Sequence, residues 1–377
     1  MIPVNEPLLD GDEAKLLKEC IDTGWISSEG PFVRAFETGI AARVGRKHGI
    51  AVCNGSAALD LAVGMAGIGQ DDEVIIPAFT IISCAASVVR AGAKPIVVDA
   101  DPLTWNMDTS LLAETVRRRL AAPNPHRLKA IMVAHIYGLP TDMDPVMRIA
   151  KDHGLMVIED AAEMHGQTYR GKPCGGFGLV STFSFYPNKH ITTGEGGMVL
   201  TDDDGVADRG RSLRNLCFDK ERRYIHEDLG WNFRMSNLQA AVGVAQLQRL
   251  DEFVSRKRKM GTLYTELLKG VPGISLPVPK TAYSDNIYWV YGVMLDEASP
   301  LDALTVMARL KDKGVQTRHF FYPMHLQPVL RKLGHFAGES HPVSERMARK
   351  GFYLPSGIAL TEDQIKAAAA ALKEILV

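Results

Sequence analysis

The stretch Met156-Val157-Ile158-Glu159-Asp160-Ala161-Ala162-Glu163 carries the reading of the fold. Its apolar run is too short for a buried helix and stops abruptly at two carboxylates. A short, continuous apolar run of this kind suits a strand covered on both faces. Four similar runs accompany it: Val74-Ile75-Ile76, Ile96-Val97-Val98, Ala130-Ile131-Met132-Val133 and Thr182-Phe183-Ser184-Phe185. Residues 57–66, 81–91, 112–120 and 143–153 lie between or beside them with a helical distribution of apolar side chains. Strands alternating with crossover helices predict an α/β fold: a large, mostly parallel-sheet domain whose helices cover the sheet.

Working outward, residues 13–22 read as a helix, and Thr23-Gly24-Trp25-Ile26-Ser27-Ser28-Glu29-Gly30 breaks it into a loop. Beyond an Ala240-rich helical region, Arg256-Lys257-Arg258-Lys259 reads as a solvated helix face. Residues 270–284 are rich in glycine, proline and polar interruptions, the composition of a boundary. Residues 289–295 and 315–320 then read as strands, and 362–377 as a helix. The expected organisation is an N-terminal helix and site loop at 1–30, a large domain at 31–255 and a smaller α/β domain at 256–377.

A chain of 377 residues with 46% hydrophobic content can bury such a core. Its 43 basic and 44 acidic side chains leave a net charge of −1, which is no composition for nucleic-acid binding. Cys20, Cys53, Cys84, Cys174 and Cys217 are scattered and odd in number, arguing for free thiols in a reducing compartment. Cys174, between Pro173 and two glycines, is expected near the surface. The opening Met1-Ile2-Pro3-Val4-Asn5 has no basic prefix leading into an apolar segment, and no uninterrupted run reaches membrane-spanning length. A soluble, cytoplasmic protein without a membrane partner is expected.

The densest candidate site is Ser184-Phe185-Tyr186-Pro187-Asn188-Lys189-His190-Ile191-Thr192-Thr193-Gly194-Glu195-Gly196-Gly197. A strand enters a Pro, Asn and Gly-rich turn, where Lys189 can reach a pocket at the sheet end. By itself Lys189 reads as a surface ammonium, a phosphate-binding cation or a Schiff-base nucleophile. Asp160, at the end of its strand, suits either a helix-start acid or the counter-ion of an organic cation. No compact His/Cys/Asp motif accompanies it, so no metal site is expected. Asn54-Gly55-Ser56-Ala57-Ala58 either caps a helix or presents amides and a hydroxyl to phosphate.

Together with Gly24-Trp25-Ile26-Ser27-Ser28, Glu159-Asp160-Ala161-Ala162 and Asn232-Phe233-Arg234-Met235-Ser236-Asn237, these motifs follow an order that resembles the DegT/DnrJ/EryC/StrS family over nearly the whole chain. That family lies within the fold-type I pyridoxal-phosphate enzymes. The resemblance implies an aminotransferase in which Lys189 binds pyridoxal 5'-phosphate as an internal aldimine and later moves protons, with pyridoxamine 5'-phosphate as the alternate cofactor form. It implies that Asp160 pairs with the pyridine nitrogen. Ser56, Ala57 and Ser184 would bind phosphate, joined by Asn232 from the neighbouring subunit of a homodimer. Glu163 would approach the ring or its phenolic oxygen. Ile81 stands where relatives more often carry an aromatic residue, so ring stacking cannot come from it. His190, though adjacent to Lys189, is not assigned as the general base.

On the substrate side, the resemblance implies L-glutamate as donor and a nucleotide-linked ketosugar as acceptor. It places Trp25, Ser28, Tyr137, Arg318 and His325 around the sugar nucleotide, with Arg222 and Arg223 as further candidates. Through the segments Asp22–Gly30, Val133–Pro145, Phe183–Gly197 and Arg318–His325, the resemblance implies the C4 ketone of a GDP-linked 4-keto-6-deoxymannose as acceptor. Arg214-Asn215-Leu216-Cys217-Phe218 departs from the glycine-rich version of that pattern. A UDP- or dTDP-linked ketosugar is the alternative acceptor. Sugar dehydration is another reaction class, against which Lys189 argues because such enzymes can carry histidine there. Non-enzymatic binding of a sugar nucleotide is the third possibility.

Overall fold

The computed structural model describes residues 1–219 and 221–376. Its first strands are β1 (His48–Val52), β2 (Glu73–Pro77), β3 (Lys94–Val98), β4 (Leu128–Ala134) and β5 (Met156–Asp160). A short hairpin, β6 (Thr168–Tyr169) and β7 (Lys172–Pro173), stands apart, and β8 (Val180–Ser184) and β9 (Gly197–Thr201) complete the large sheet. The sheet order is β1-β9-β8-β5-β4-β2-β3. The five expected runs are its five contiguous parallel strands, β8 through β3. β9 is antiparallel to both β8 and β1, so it alone reverses the common direction.

Consecutive side chains of these strands enter opposite cores, as the two-residue period requires. Ile75, Ile131, Val133 and Val157 join one apolar cluster, while Val74, Ile76, Met132 and Ile158 join the other. This two-sided burial makes the strands read as unbroken apolar runs. The C-terminal ends of β1, β2, β5 and β8 consequently lie at one edge of the sheet, where α/β proteins collect their functional groups.

Four further strands, β10 (Ile274–Ser275), β11 (Tyr291–Leu295), β12 (Arg318–His319) and β13 (Gly351–Leu354), form an antiparallel sheet in the order β10-β11-β13-β12. They share a separate core containing Tyr264, Val293, Leu310, Phe352 and Leu372. The expected strand at 315–320 contracts to the two residues of β12. The expected C-terminal helix is Glu362–Leu376, and Val377 lies outside the described residues.

Helix Leu250–Leu268 runs unbroken through residues 255 and 256. Leu250, Phe253 and Val254 enter the large-domain core, whereas Met260, Tyr264 and Leu268 enter the smaller one. Its charged run is not wholly solvated. Arg256, Arg258 and Lys259 are exposed, but Lys257 is only 1% exposed and donates to the carbonyls of Trp289 at 2.8 Å and Ser356. Burying Lys257 is tolerable because its donors are taken up by backbone acceptors.

The N-terminal segment joins the smaller domain, with the Ile2 amide donating to Gly314 O at 2.7 Å and Ser356 N to Val4 O at 2.9 Å. Helix Glu13–Thr23 instead packs on helix Asn237–Gln248 of the large domain. All five cysteines are free. Cys174 is buried, contrary to expectation: Gly175, in a left-handed conformation at φ 89°, lets its turn close onto Phe183, where a Cβ would stand 2.5 Å from the ring. Among the described residues, no helix is long and apolar enough to cross a membrane.

Candidate active site

A cavity of about 700 Å³ opens at the C-terminal edge of the large sheet and is closed on one side by Trp289, Arg318 and Tyr353. Lys189 enters it from the turn after β8. The Phe185 amide donates to Gly196 O at 2.9 Å, and Thr193 N returns to Phe185 O at 3.0 Å, so the glycine-rich segment folds back and fixes the turn. Lys189 Nζ lies 3.9 Å from the centroid of the Trp289 ring. The indole N–H donates to Asn188 O at 2.8 Å, which fixes the ring beneath the amine. Desolvation lowers the Lys189 pKa, while the nearby Glu163 and Asp160 charges oppose that shift. Burial therefore favours the neutral, nucleophilic form.

Asp160 ends β5 and projects into the same cavity wall. Its Oδ1 accepts from Ala162 N at 3.1 Å and Thr182 Oγ1 at 3.3 Å, and Oδ2 accepts from Cys84 Sγ at 3.3 Å. Glu163, one short turn later, accepts from the Tyr137 amide at 2.7 Å. Burial pushes the Glu163 carboxyl up to about 8, against the opposing influence of Lys189 and that amide. Two carboxyl groups in one wall thus have different environments: one in a collar of three donors, the other biased towards its neutral form.

At the opposite wall, Asn54 caps helix Gly55–Met65 by accepting from Ala57 N at 2.8 Å. Ser56 Oγ lies 2.8 Å from Ser83 Oγ. Gly55 packs on Ser184, where an added Cβ would stand 2.7 Å from the serine Cβ. A helix N-terminus flanked by Ser56, Ser83 and Ser184 is a fitting anion cradle. The Ala57 amide, expected to face phosphate, is instead engaged by the Asn54 cap.

A family model for the DegT/DnrJ/EryC1/StrS aminotransferases matches residues 7–373. The chain belongs to that family. GDP-perosamine synthase from Caulobacter vibrioides is 43% identical over 377 residues, covering 100% of this chain and 98% of the relative. DesV from S. venezuelae, solved in complex with a ketimine intermediate, superposes with a TM-score of 0.86 at 33% identity, covering 97% of this chain and 94% of that one. DesI, solved in the presence of its TDP-sugar product, gives a TM-score of 0.87 at 32% identity, covering 100% and 93%. The chain is a pyridoxal-phosphate-dependent sugar-nucleotide aminotransferase of the expected fold-type I architecture.

The aminotransferase cavity fits that cofactor chemically. It combines a buried amine biased towards neutrality, a strand-end carboxylate that can face a pyridinium, and a hydroxyl-flanked helix N-terminus that can hold phosphate. Ser56, Ile81, Asp160, Glu163, Ser184 and Lys189 all line it. Ile81 precedes helix Ile82–Arg90 with its side chain exposed.

The residues expected around the substrate are distributed differently. Arg318 lines the cavity as an exposed cation. Tyr137 is buried behind it among Phe79, Phe320 and Phe321, with its hydroxyl accepting from Phe321 N at 3.2 Å. Its contribution is a backbone amide, turned towards Glu163 by a left-handed φ of 57°. His325 is fully buried, its Nε2 3.0 Å from Glu345 Oε1, and does not line the cavity. Trp25, Ser28 and Asn232 also lie outside the cavity lining, as do Arg222 and Arg223. Ser28 instead borders a separate groove with Arg34 and Arg214.

Trp289, Cys84, Ser83 and Tyr353 were not singled out by the sequence reading. Trp289 and Tyr353 sit in apolar runs that signal packing, and their place in one cavity with Lys189 depends on domain docking. Cys84 lies on a helix 76 residues from its Asp160 partner.

His135, Glu159 and Cys174 bring ligand-type atoms within 4.8 Å of one another, but hydrogen bonds occupy this group. Glu159 accepts from Gly175 N at 2.6 Å and Phe177 N at 2.8 Å, and its Oε1 is 3.0 Å from His135 Nε2. Since His135 Nδ1 accepts from Thr141 N at 3.1 Å, the imidazole donates through Nε2. The group ties the chain before β8 to β4. His190 is buried, and desolvation holds its pKa well below the usual imidazole range, consistent with a neutral packed ring.

Proposed function

We propose that the chain transfers the amino group of L-glutamate to C4 of GDP-4-keto-6-deoxy-D-mannose, giving GDP-perosamine and 2-oxoglutarate in the cytoplasm. The observation carrying this choice is the 43% identity to a GDP-perosamine synthase along the whole chain. The two half-reactions balance without an oxidant: glutamate exchanges its amino group for a keto oxygen, and the sugar makes the reverse exchange.

In this reading, Lys189 holds pyridoxal phosphate covalently and moves the proton at the reacting carbon. Its burial on Trp289 supports that role by favouring a neutral amine. Asp160 faces the pyridine nitrogen, while Ser56 and Ser184 hold phosphate. Glu163, biased towards its neutral form, supplies a proton donor beside the ring. Ile81 covers the ring by apolar contact. The cofactor supplies the electron sink that a protein side chain lacks.

Arg318 is the cation proposed to meet the anionic substrate. We further infer a homodimer in which Asn232, and the loop carrying Trp25 and Ser28, complete the partner's site. Their place within the family match over residues 7–373 supports that reading. Functionally, residues 1–30 supply the N-terminal helix and active-site loop, 31–255 the cofactor domain and 256–377 the small domain, with the change from one core to the other inside helix Leu250–Leu268.

A second reading, amination of a UDP- or dTDP-linked ketosugar, is supported by the likeness to DesI, which was solved in the presence of its TDP-sugar product. The departure at Arg214–Phe218 does not decide between the two, since Leu216 and Cys217 adopt glycine-like φ values of 60° and 51° without glycine. Parallel reactions with glutamate and GDP-, UDP- or dTDP-linked 4-keto-6-deoxysugars, read by product mass, test both. Amination of the GDP substrate is expected; turnover only with another nucleotide overturns the first reading, and loss of water without nitrogen transfer overturns both.

A further inference from the structure

We propose that Cys84 is a positioning residue: its thiol holds Asp160 Oδ2 so that the carboxylate presents a fixed face to the cofactor ring. The inference rests on the assignment of Asp160 as the ring's partner and adds the group that orients it. Cys84 lies in the first turn of helix Ile82–Arg90, fully buried, with Sγ 3.3 Å from Asp160 Oδ2.

The donor arrangement around Asp160 makes the thiol consequential. Oδ1 already has two donors, Ala162 N and Thr182 Oγ1. Among the described residues, Cys84 is the protein hydrogen-bond donor to Oδ2. A carboxylate oxygen can accept two hydrogen bonds, leaving Oδ2 capacity for one donor from the cavity that Asp160 lines. Without the thiol, the Oδ1 contacts still hold one oxygen, but the other loses its protein anchor.

The thiol is fitted for donation rather than reaction. Burial, followed by the Asp160 charge, pushes its pKa well above the usual thiol range, so sulfur keeps its proton. Its single hydrogen is directed to Asp160; Thr80 Oγ1, 3.5 Å from Sγ, is then the donor in the second contact. The chain Thr80–Cys84–Asp160 ties the loop after β2 to the end of β5.

A packing role makes the opposite mutational prediction. Cys84 belongs to an apolar cluster with Ala85, Val88 and Ile158. If it only fills space, Cys84→Ala and Cys84→Val are the mild changes, whereas Cys84→Ser and Cys84→Thr bury an unwanted hydroxyl. If it orients Asp160, the hydroxyl variants rescue and the apolar variants fail.

The test uses the full-length protein with these four variants, alone and combined with Asp160→Asn. Apoprotein affinity for pyridoxal 5'-phosphate is read by tryptophan fluorescence, and the bound cofactor's absorbance is titrated against pH. Cys84→Ala and Cys84→Val should weaken binding by roughly 3- to 10-fold, the scale of one ordinary hydrogen bond, because a thiol is a weak donor. They should move the absorbance midpoint in the direction produced by Asp160→Asn. Cys84→Ser or Cys84→Thr should remain within about twofold of wild type, and the apolar changes should add nothing once Asp160→Asn is present. The near-isosteric Val/Thr pair supplies the comparison where an Ala or Ser variant fails to fold.

Hydroxyl variants worse than apolar ones, or an undiminished Cys84 effect beside Asp160→Asn, overturn the proposal. So does a wild-type response from the apolar variants while Asp160→Asn responds, which removes Cys84 alone. If Asp160→Asn moves neither readout, the assignment of Asp160 to the ring falls and the Cys84 proposal falls with it.

Discussion

Glu163 Oε1 stands 3.9 Å from Lys189 Nζ, with both side chains at most 10% exposed, so neither charge is well solvated. The separation exceeds a direct hydrogen bond, and burial favours the neutral form of each partner. The arrangement places two groups, each shifted towards its neutral form, in one cavity wall.

Replacing Glu163 with Gln tests that bias. The folded carboxyl is raised to about 8 from 4.5, so its stability contribution is fully present below the lower value and is lost as pH rises through the upper one. Glu163→Gln cannot ionise, yet it keeps an acceptor for Tyr137 N. Relative to wild type, the variant apoprotein should gain on the order of a few kcal/mol between about pH 5 and about pH 8. Urea midpoints across that interval measure the gain; a pH-independent difference contradicts the raised pKa.

Lys189→Ala should lower turnover by at least about a thousandfold, because it removes the proposed covalent anchor and proton carrier together. Apoprotein stability should not fall in parallel, since the change also removes a desolvated amine. Turnover and thermal melting measured on the same preparation separate these effects. Wild-type turnover by the variant would remove Lys189 from the chemistry.

Lys257→Met should destabilise the fold by about 1–3 kcal/mol for each carbonyl it orphans, those of Trp289 and Ser356. Desolvation lowers the lysine pKa from 10.5 to about 7. Its linked contribution is present above the unfolded value and is lost as pH falls through the folded one. The wild-type advantage over Lys257→Met should therefore be larger near pH 9.5 than near pH 7, as read by chemical denaturation. An advantage that grows towards lower pH contradicts the shift.

Gly55→Ala should impair the proposed phosphate cradle more than the fold. The new Cβ would stand 2.7 Å from Ser184 Cβ and 2.8 Å from its Oγ, so the helix start or the serine must move. Overpacking of this kind costs about 1–3 kcal/mol, and cofactor affinity should fall roughly tenfold if that cost appears on binding. Equilibrium titration of the apoprotein measures it; unchanged affinity would separate Gly55 from the phosphate site.

Asp160 and Lys189 were legible because strand-end acids and Gly-rich turns are local patterns, reinforced here by the order of the family motifs. β1 and β9 were harder to recognise: β1 is a short mixed run and β9 starts inside the glycine-rich segment following Lys189, so only pairing establishes both. The resemblance implied Tyr137 and His325 as substrate contacts, yet burial gives one an aromatic core and the other a carboxylate partner. Lys257 was read by its charged neighbours, but helix geometry turns it inward while Arg256 and Arg258 remain outside.

By itself, the sequence determined the alternation of buried strands and helices, the Lys189 turn, the Asp160 strand end and the family, because each is written in neighbouring residues or their order. Tertiary structure alone decided that Trp289 lies under Lys189, that Cys84 meets Asp160 and that Lys257 bridges two backbone carbonyls. Those contacts join residues 32 to 100 positions apart. They form only when the parallel sheet aligns its strand ends and the smaller domain closes over them, since hydrogen bonds and ring contacts depend on separation in space rather than along the chain.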